Sequence, residues 1–313
     1  MLGGWRVGVV IPARNEEASI REVLETLPKH VDLAVVINDG STDRTAQEAN
    51  VAKAPCEVIV LEKTGNGVGA SIDAGHQCLL ERLARPFVSV VMAGDGQMNP
   101  DDMVGLVRPI LDGNADHVKG NRKRHTQGYG DMPRYRKLAS ALLGFFTSLA
   151  AGQSIQDPQC GYTATSSKVL DHWDWKRSWK GYGYPNFWLI HLSRGGWRIA
   201  ERPVQSIYRN ETSGIKPLYF FLSVGVMMAV EHHRRNLAWL VPPYMLPHSI
   251  FALIAYVLGW SAFLPGFSND LEAVLFERNV PPLLLGLTCW VIAHLFDRLA
   301  TQIRQELRLH AQT

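Results

Sequence analysis

The chain has 313 residues, of which 46% are hydrophobic, and a formal net charge of +3. This length accommodates one large α/β domain with an appendage, and the charge is too small to indicate a nucleic-acid partner. The four cysteines lie far apart without a C-x-x-C spacing, so neither a zinc site nor a disulfide framework is predicted. The cysteines are expected to be reduced thiols. No cleaved signal peptide is expected, because a strand-like run begins at residue 7.

The N-terminal part of the sequence alternates between strand-like and helix-like segments. The apolar run at 7–11, ended by Pro12, is typical of a strand buried on both faces. Asn15 is predicted to cap a helix that carries Glu16 and Glu17 at the positive end of its dipole. Further strands are predicted at 33–37, 57–61 and 87–92, with a second helix from about residue 43. This alternation predicts a mostly parallel sheet, helices on both faces and ligands at the carboxyl ends of the strands.

The composition changes after about residue 215. Segments 237–267 and 280–296 are almost free of charge, and each approaches the roughly 20 residues that cross a bilayer. Neither shows a polar face, which favours two transmembrane helices over buried core helices. The prolines at 242, 243 and 247 predict that the first helix begins near His248. Segment 217–230 is too short to span and is predicted to lie in the interface, followed by basic residues at the headgroups.

Charges around these segments predict the orientation. The run HHRR at 232–235 precedes the first span, and Arg298, Arg304 and Arg308 follow the second. The connection between the spans is acidic, with Asp270, Glu272 and Glu277 against Arg278. By the positive-inside rule both ends face the cytoplasm. The predicted units are therefore a cytoplasmic domain at 1–215, an interfacial segment at 216–236, a two-helix hairpin at 237–300 and a tail at 301–313.

Three predicted strands end in polar runs that would meet at one sheet edge: PARNE at 12–16, NDGSTD at 38–43 and GDGQ at 94–97. Each alone is typical of an ordinary turn. Together they resemble family 2 glycosyltransferases of the GT-A fold, most closely the dolichol-phosphate mannosyltransferase and bacterial polyprenyl-phosphate glycosyltransferase branch. The resemblance spans roughly residues 7–216 and continues through GNGVGA (65–70), KGNR (119–122), DPQCGY (157–162) and YGYPN (182–186).

This resemblance implies an inverting transfer of sugar from a nucleotide-sugar to a polyprenyl phosphate at the cytoplasmic face of a bacterial inner membrane. The expected partners are the donor, the lipid acceptor and the bilayer, and the sequence leaves homo-oligomerisation open. A UDP-sugar is favoured over GDP-mannose. The alternatives are transfer to a glycolipid or glycan hydroxyl, and a non-catalytic scaffold that binds nucleotide-sugar. The sequence lacks the Q-x-x-R-W motif of processive synthases, which argues against a glycan acceptor.

The resemblance also implies a donor site. The residues expected at the nucleotide-sugar are Pro12, Arg14, Glu16, Asp39, Asp95 and Asp157. Asp95 and Gln97 would hold Mg²⁺ or Mn²⁺, and a hard cation on oxygen ligands offsets the charge of a diphosphate leaving group.

Two positions depart from the family pattern. Ala93 stands where the metal motif usually has Asp, and Asn38 where many relatives have Asp. Loss of the carboxylate at position 93 predicts weaker or displaced metal binding.

An acceptor site is implied as well, with Arg122, Arg136 and Ser140 at the lipid phosphate. Arginine suits a phosphate because its planar fork donates two hydrogen bonds. Asp95, Arg122 and Arg136 are the residues expected to be catalytic. An ionised phosphate attacks without a strong general base, whereas a hydroxyl acceptor needs one.

Two features are left with open interpretations. An aromatic cluster could pack in the core, lie at the membrane or stack on the donor sugar: Trp173, Trp175, Trp179, Tyr182, Tyr184, Phe187 and Trp188. The glycines at 65, 67 and 69 indicate a turn and not a phosphate-cradling loop, because their spacing differs from a dinucleotide fingerprint. The sequence leaves open whether this turn contacts the donor.

Overall fold

A seven-stranded sheet forms the centre of the large domain in the computed structural model, which describes residues 1–126, 134–207, 217–241, 245–261 and 280–310. The strand order is β3-β2-β1-β4-β6-β5-β7, and only β6 runs antiparallel to its neighbours. The strands are β1 (Arg6–Ala13), β2 (Leu33–Asp39), β3 (Glu57–Lys63), β4 (Phe87–Val91), β5 (His117–Asn121), β6 (Thr163–Ser166) and β7 (Ile199–Pro203).

Helices cover both faces of this sheet. One apolar core lies under α1, α2 and α4, and a second lies under α3, α6 and α7. Burial of both sheet faces explains why β1, β2 and β4 read as continuous apolar runs. The helices are α1 (Ile20–Glu25), α2 (Thr45–Val51), α3 (Val68–Arg82), α4 (Met103–Leu111), α5 (Arg134–Ala151), α6 (Ser167–Asp171), α7 (Tyr184–Arg194), α8 (Pro217–Ala238), α9 (Pro247–Ser261) and α10 (Val280–His310).

The predicted mixed α/β architecture is confirmed, with the four predicted strands in place as β1 to β4. The predicted cap at Asn15 is wrong, because α1 begins at Ile20 with Ser19 as its N-cap. Asn15 instead adopts a left-handed φ of 58° and accepts the Thr42 backbone N–H at 2.9 Å. A contact to a neighbouring loop therefore overrides the local capping preference.

The C-terminal helices agree in part with the predicted membrane segments. Within α10, residues Leu283–His310 are long and apolar enough to cross a membrane, and no other helix in the described ranges meets that criterion. The first predicted span corresponds to α9, which starts at Pro247 as expected but has 15 residues. The acidic connection at 270–278 lies outside the described residues. One candidate span is therefore found, and the two-helix hairpin stays a prediction.

The predicted basic cluster at the headgroups is wrong for Arg235. Its side chain is fully buried and pairs with Asp297 of α10. It also donates to the Ala151 carbonyl at 3.1 Å and the Thr301 hydroxyl at 3.0 Å. Burial of a charge is tolerated when it is paired and hydrogen-bonded, so Arg235 connects α5, α8 and α10 and does not face lipid.

Two of the positive charges that follow the predicted second span connect α10 to the large domain. The Arg308 guanidinium lies 3.3 Å from the centre of the Trp197 ring and donates to the Gly195 carbonyl at 2.6 Å. Arg304 lies 4.1 Å over the ring of Trp239, whose indole N–H donates to the Arg194 carbonyl of α7 at 3.2 Å. Cation–π contacts and hydrogen bonds thus attach the last turns of α10 to the sheet domain.

The close approach of α3 to the sheet gives a first prediction. A Cβ on Gly75 would overlap the Val10 side chain and lie 2.9 Å from Ile37 Cδ1, whereas one on Gly105 of α4 has nothing within 4 Å. We expect Gly75→Ala to lower the free energy of unfolding by about 1–3 kcal/mol. Gly105→Ala should raise it by up to about 1 kcal/mol, since alanine is the better helix former. Denaturant unfolding in detergent would compare the two variants, and equal stabilities would contradict the packing of α3.

Candidate active site

The carboxyl ends of β1 and β4 form the centre of the candidate site. Beyond the β4 strand, the Met92 N–H donates to the Val10 carbonyl at 3.0 Å and the Gly94 N–H to the Pro12 carbonyl at 3.1 Å. The parallel pairing therefore continues into the loop that carries Asp95. Pro12 and the Asp95 loop, predicted to share one ligand, are brought together by this register.

The segment after β1 is hydrogen-bonded to the segment that joins β2 to α2. The Asn15 N–H donates to the Ser41 hydroxyl at 2.9 Å and the Glu16 N–H to the Thr45 hydroxyl at 2.8 Å. Arg14 lies exposed beside them, and Glu16 is half-buried. A left-handed non-glycine residue costs on the order of 1 kcal/mol, so these hydrogen bonds hold a strained turn in place.

Asp39, predicted at the nucleotide, is buried and holds the glycine loop. Its two carboxylate oxygens accept the Asn66 and Gly67 N–H groups, each at 2.9 Å. Gly67 has a φ of 94° and packs against the Lys180 carbonyl, where a Cβ would lie at 2.7 Å. The predicted turn is thus present at Gly65 and Gly67, whereas Gly69 already lies in α3, and the contact with the Lys180 carbonyl requires glycine at position 67.

The Asp95 loop presents oxygen donors. Asp95 Oδ1 accepts the Gln97 N–H at 3.0 Å, and the Gln97 carbonyl accepts the Ile207 N–H at 2.9 Å. A carboxylate and an amide oxygen are hard ligands, so this donor set fits Mg²⁺ or Mn²⁺. Ala93 contributes no ligand, and its N–H lies 3.3 Å from Met98 Sδ.

Arg122 and Asp157, predicted on the acceptor and donor sides, form one ion pair. Arg122 Nε and Nη2 each donate to the carboxylate at 2.8 Å, and the Arg122 backbone N–H donates at 3.0 Å. Burial alone would raise the pKa of Asp157, but the hydrogen bonds and charge of Arg122 outweigh it and hold the pKa below 3.8. Asp157 therefore occupies one edge of the guanidinium fork that the sequence assigns to lipid phosphate.

Sequence reasoning missed Glu201 on β7. Its Oε1 accepts the Gln156 N–H at 3.0 Å and the Asp157 N–H at 3.1 Å. Glu201 thereby fixes the turn that carries Asp157. Its position in an exposed edge strand carries no signal in the sequence, because the contact depends on β7 pairing with β5.

Three further basic side chains contact the same turn. The buried Lys119 ammonium donates to the Cys160 carbonyl, and burial lowers its pKa. Lys123 donates to the Gln156 carbonyl at 2.6 Å, and Arg124 to the Gln156 side chain at 3.0 Å. The basic run after β5 therefore surrounds one turn of the large domain.

The acceptor motif lies at the start of α5. Arg136 belongs to the first turn of this helix, and its side chain lies outside the described residues. Ser140 follows four residues later and is buried.

The aromatic cluster packs mainly in the core. Trp173 stacks on Trp188 with ring centres 3.7 Å apart, and Phe187 stacks on His191 at 3.9 Å. Tyr184 is buried, whereas Tyr182 is exposed. Core packing thus accounts for most of this cluster.

The topology and the strand-end site define a GT-A-like glycosyltransferase fold. The glycosyl transferase family 2 profile matches residues 8–173, more than half of the sequence. The chain belongs to glycosyl transferase family 2.

Two relatives and one solved structure illustrate the similarity. UDP-N-acetylglucosamine–dolichyl-phosphate N-acetylglucosaminyltransferase of Methanococcus voltae is 28% identical over 215 residues, covering 64% of this chain and 85% of the relative. Dolichol-phosphate mannosyltransferase of Pyrococcus furiosus is 30% identical over 177 residues, covering 53% and 47%. Glucosyl-3-phosphoglycerate synthase of Mycobacterium tuberculosis, crystallised with Mn²⁺, UDP and glucosyl-3-phosphoglycerate, aligns with a TM-score of 0.54 at 22% identity, covering 74% and 80%. At that identity the likeness supports the fold alone.

The Arg122–Asp157 pair gives a second prediction. Asp157→Asn removes the buried carboxylate and leaves Arg122 without its counter-charge. This should lower the free energy of unfolding by about 3 kcal/mol at neutral pH. Because the folded pKa lies below the ordinary 3.8, the stabilisation is complete above about pH 4 and is lost as the pH falls through the folded value. The stability gap between wild type and variant should therefore narrow in acid.

Denaturant unfolding from neutral pH down to about pH 3 measures this gap. The exposed Asp101→Asn is the matched control and should leave stability unchanged at neutral pH. A gap for Asp157→Asn that stays constant into acid would contradict the ion pair.

Proposed function

We propose that this enzyme transfers a sugar from a nucleotide-sugar to the phosphate of a polyprenyl lipid, at the cytoplasmic face of the membrane and with inversion. The observation that supports a lipid acceptor is an open cavity of about 460 Å³ lined by α5, α8, α9 and α10. It lies along the same helix whose first turns carry Arg136 and Ser140. A lipid bound there has its chain in the cavity and its phosphate at the site.

The walls of the cavity suit an isoprenoid chain. Apolar and aromatic side chains dominate: Leu143 and Phe146 from α5, Phe221 and Met228 from α8, Trp260 from α9 and Trp290 from α10. Pockets of this size and lining bind largely apolar ligands with a few polar groups for orientation. The histidines at 232, 233 and 294 are the polar part of the lining.

The surface beside the cavity suits a membrane. On α5, Leu138, Leu142 and Phe145 are exposed at helical spacing. On α8, Leu222 and Val226 are each more than 60% exposed. Exposed apolar patches of this extent mark membrane or partner contacts. We therefore place α8, and also α5, at the bilayer interface, with residues 280–296 of α10 in the bilayer, since the part of α10 from Asp297 onward contacts α8 and the large domain.

The strand-end residues supply the donor chemistry. Asp95 and Gln97 would hold Mg²⁺ or Mn²⁺, which would offset the charge of the diphosphate leaving group. A lipid phosphate oxygen attacks the anomeric carbon from the opposite side while the bond to the nucleoside diphosphate breaks. We assign the phosphate to Arg122, Arg136 and Ser140, the residues that the family resemblance places on the acceptor side.

We infer the donor from the position of four residues in the sheet and from the similarity to one relative. Pro12, Arg14, Glu16 and Asp39 lie at the sheet edge where the nucleotide would bind. The Methanococcus voltae relative is named for UDP-N-acetylglucosamine and dolichyl phosphate, which favours a UDP-sugar over GDP-mannose here.

The metal assignment gives a third prediction. Asp95→Asn should reduce sugar transfer to undecaprenyl phosphate by about 100-fold or more, since it removes the one carboxylate of the motif. Folding should be retained, because the Asn oxygen still accepts the Gln97 N–H. Radiolabelled transfer from UDP-sugars measures this, with the exposed Asp112→Asn as control. Near-normal transfer by Asp95→Asn would refute the metal assignment.

The cavity gives a fourth prediction. Gly225 lines it, and a Cβ there has nothing within 4 Å. Gly225→Leu should fill part of the cavity and raise the KM for undecaprenyl phosphate severalfold, with little effect on a short prenyl phosphate that does not reach it. The neighbouring Val226 is 64% exposed, so Val226→Leu is the matched control. Equal effects on long and short acceptors would show that the chain binds elsewhere.

A further inference from the structure

We propose that Glu16 supplies the metal site with the carboxylate that position 93 lacks. This inference rests on the proposed function, because it assumes that the Asp95 loop holds a divalent cation. With Ala93 in the motif, Asp95 and Gln97 provide one negative charge and, at one oxygen from each residue, two side-chain ligand atoms. Mg²⁺ and Mn²⁺ are bound through one or two carboxylates together with phosphate and water, so a second carboxylate nearby completes an ordinary ligand set.

The backbone places Glu16 at the Asp95 loop. The Gly94 N–H is bonded to the Pro12 carbonyl, and a Cβ on Gly94 would lie 3.0 Å from Ala13 Cβ. The chain bends at Arg14 and Asn15, where Asn15 has a left-handed φ of 58°. The Glu16 N–H donates to the hydroxyl of Thr45, the first residue of α2, at 2.8 Å, and this hydrogen bond fixes the backbone of Glu16 after the bend.

One buried hydroxyl connects the Glu16 side chain to the loop. Ser19 Oγ lies 2.7 Å from the Gly94 carbonyl oxygen and 3.2 Å from Glu16 Oε2. Gly94 is the residue between Ala93 and Asp95. The Glu16 carboxylate and the peptide that precedes Asp95 are therefore neighbours of the same atom, Ser19 Oγ.

The adjacent carboxylate differs in its surroundings. Glu17 is exposed, and its carboxylate accepts the Arg44 backbone N–H at 3.0 Å. The Glu17 carboxylate is thus already hydrogen-bonded to the segment after β2. Glu17 therefore provides a control for Glu16, since it is the same residue type one position away. Glu16→Gln keeps an oxygen for the Ser19 hydroxyl, so the turn is expected to survive the substitution.

The test is Mn²⁺ binding, measured by the electron paramagnetic resonance signal of free Mn²⁺ with full-length protein in detergent. Glu16→Gln should raise the Kd for Mn²⁺ about tenfold, the range seen when a group in a metal's immediate surroundings is removed. Glu17→Gln should match wild type. The double variant Glu16→Gln, Ala93→Asp should return to within severalfold of wild type, because it moves the carboxylate back to the family's usual position.

The outcomes separate this inference from the proposed function. A wild-type Kd in Glu16→Gln, together with weakened binding in Asp95→Asn, overturns the role of Glu16 and leaves the metal loop in place. Unchanged binding in both variants overturns the metal assignment as well. Weak binding in Glu16→Gln that Ala93→Asp fails to restore also overturns the inference, since the effect is then structural. Lipid acceptor specificity enters none of these measurements.

Discussion

The buried carboxylate of Asp157 is the constraint on which the arrangement of the site depends. A fully buried charge is costly unless it is paired and hydrogen-bonded. Arg122 meets this requirement with three donors at 2.8–3.0 Å. Glu201 then fixes the turn beneath it, so β5, β7 and the chain before β6 are locked together. The Arg122 guanidinium thereby has its position set by protein contacts, and in the proposed function it would meet the lipid phosphate already oriented.

A second buried pair joins the sheet domain to the helices that we place at the membrane. Arg235 and Asp297 meet in an interior without exposure to solvent, with Ala151 of α5 among the partners of Arg235. Together with Arg308 on Trp197, this pair attaches α10 to the large domain along its C-terminal half. The cavity lies between the same helices. The proposed acceptor chain would thus be held by elements whose positions relative to the sheet are set by ionic contacts, and catalytic and membrane parts would act as one body.

Family membership and the meeting of the strand ends could be predicted because both depend on local patterns. The apolar runs of β1, β2 and β4 are buried on both sheet faces, and their polar ends follow directly in the chain. The start of α9 at Pro247 is similarly local, since proline opens a helix readily. The strands β5 to β7 were not predicted. They are short, and the pairing of β6 with both neighbours is antiparallel and non-local.

By itself, the sequence determined the chemistry available to this protein: the family, the oxygen donors at 95 and 97, the missing carboxylate at 93 and the apolar C-terminal segments. The tertiary structure alone decided which groups meet. Asn15 turns left-handed and does not cap a helix, because Ser41 and Thr42 of another loop bind it. From the sequence, Arg235 is expected to face the lipid headgroups. In the structure it is buried, because Asp297, which is distant in the chain, supplies its counter-charge. Local patterns specify residue types, whereas the compensation of a buried charge or a strained turn comes from residues far away in sequence.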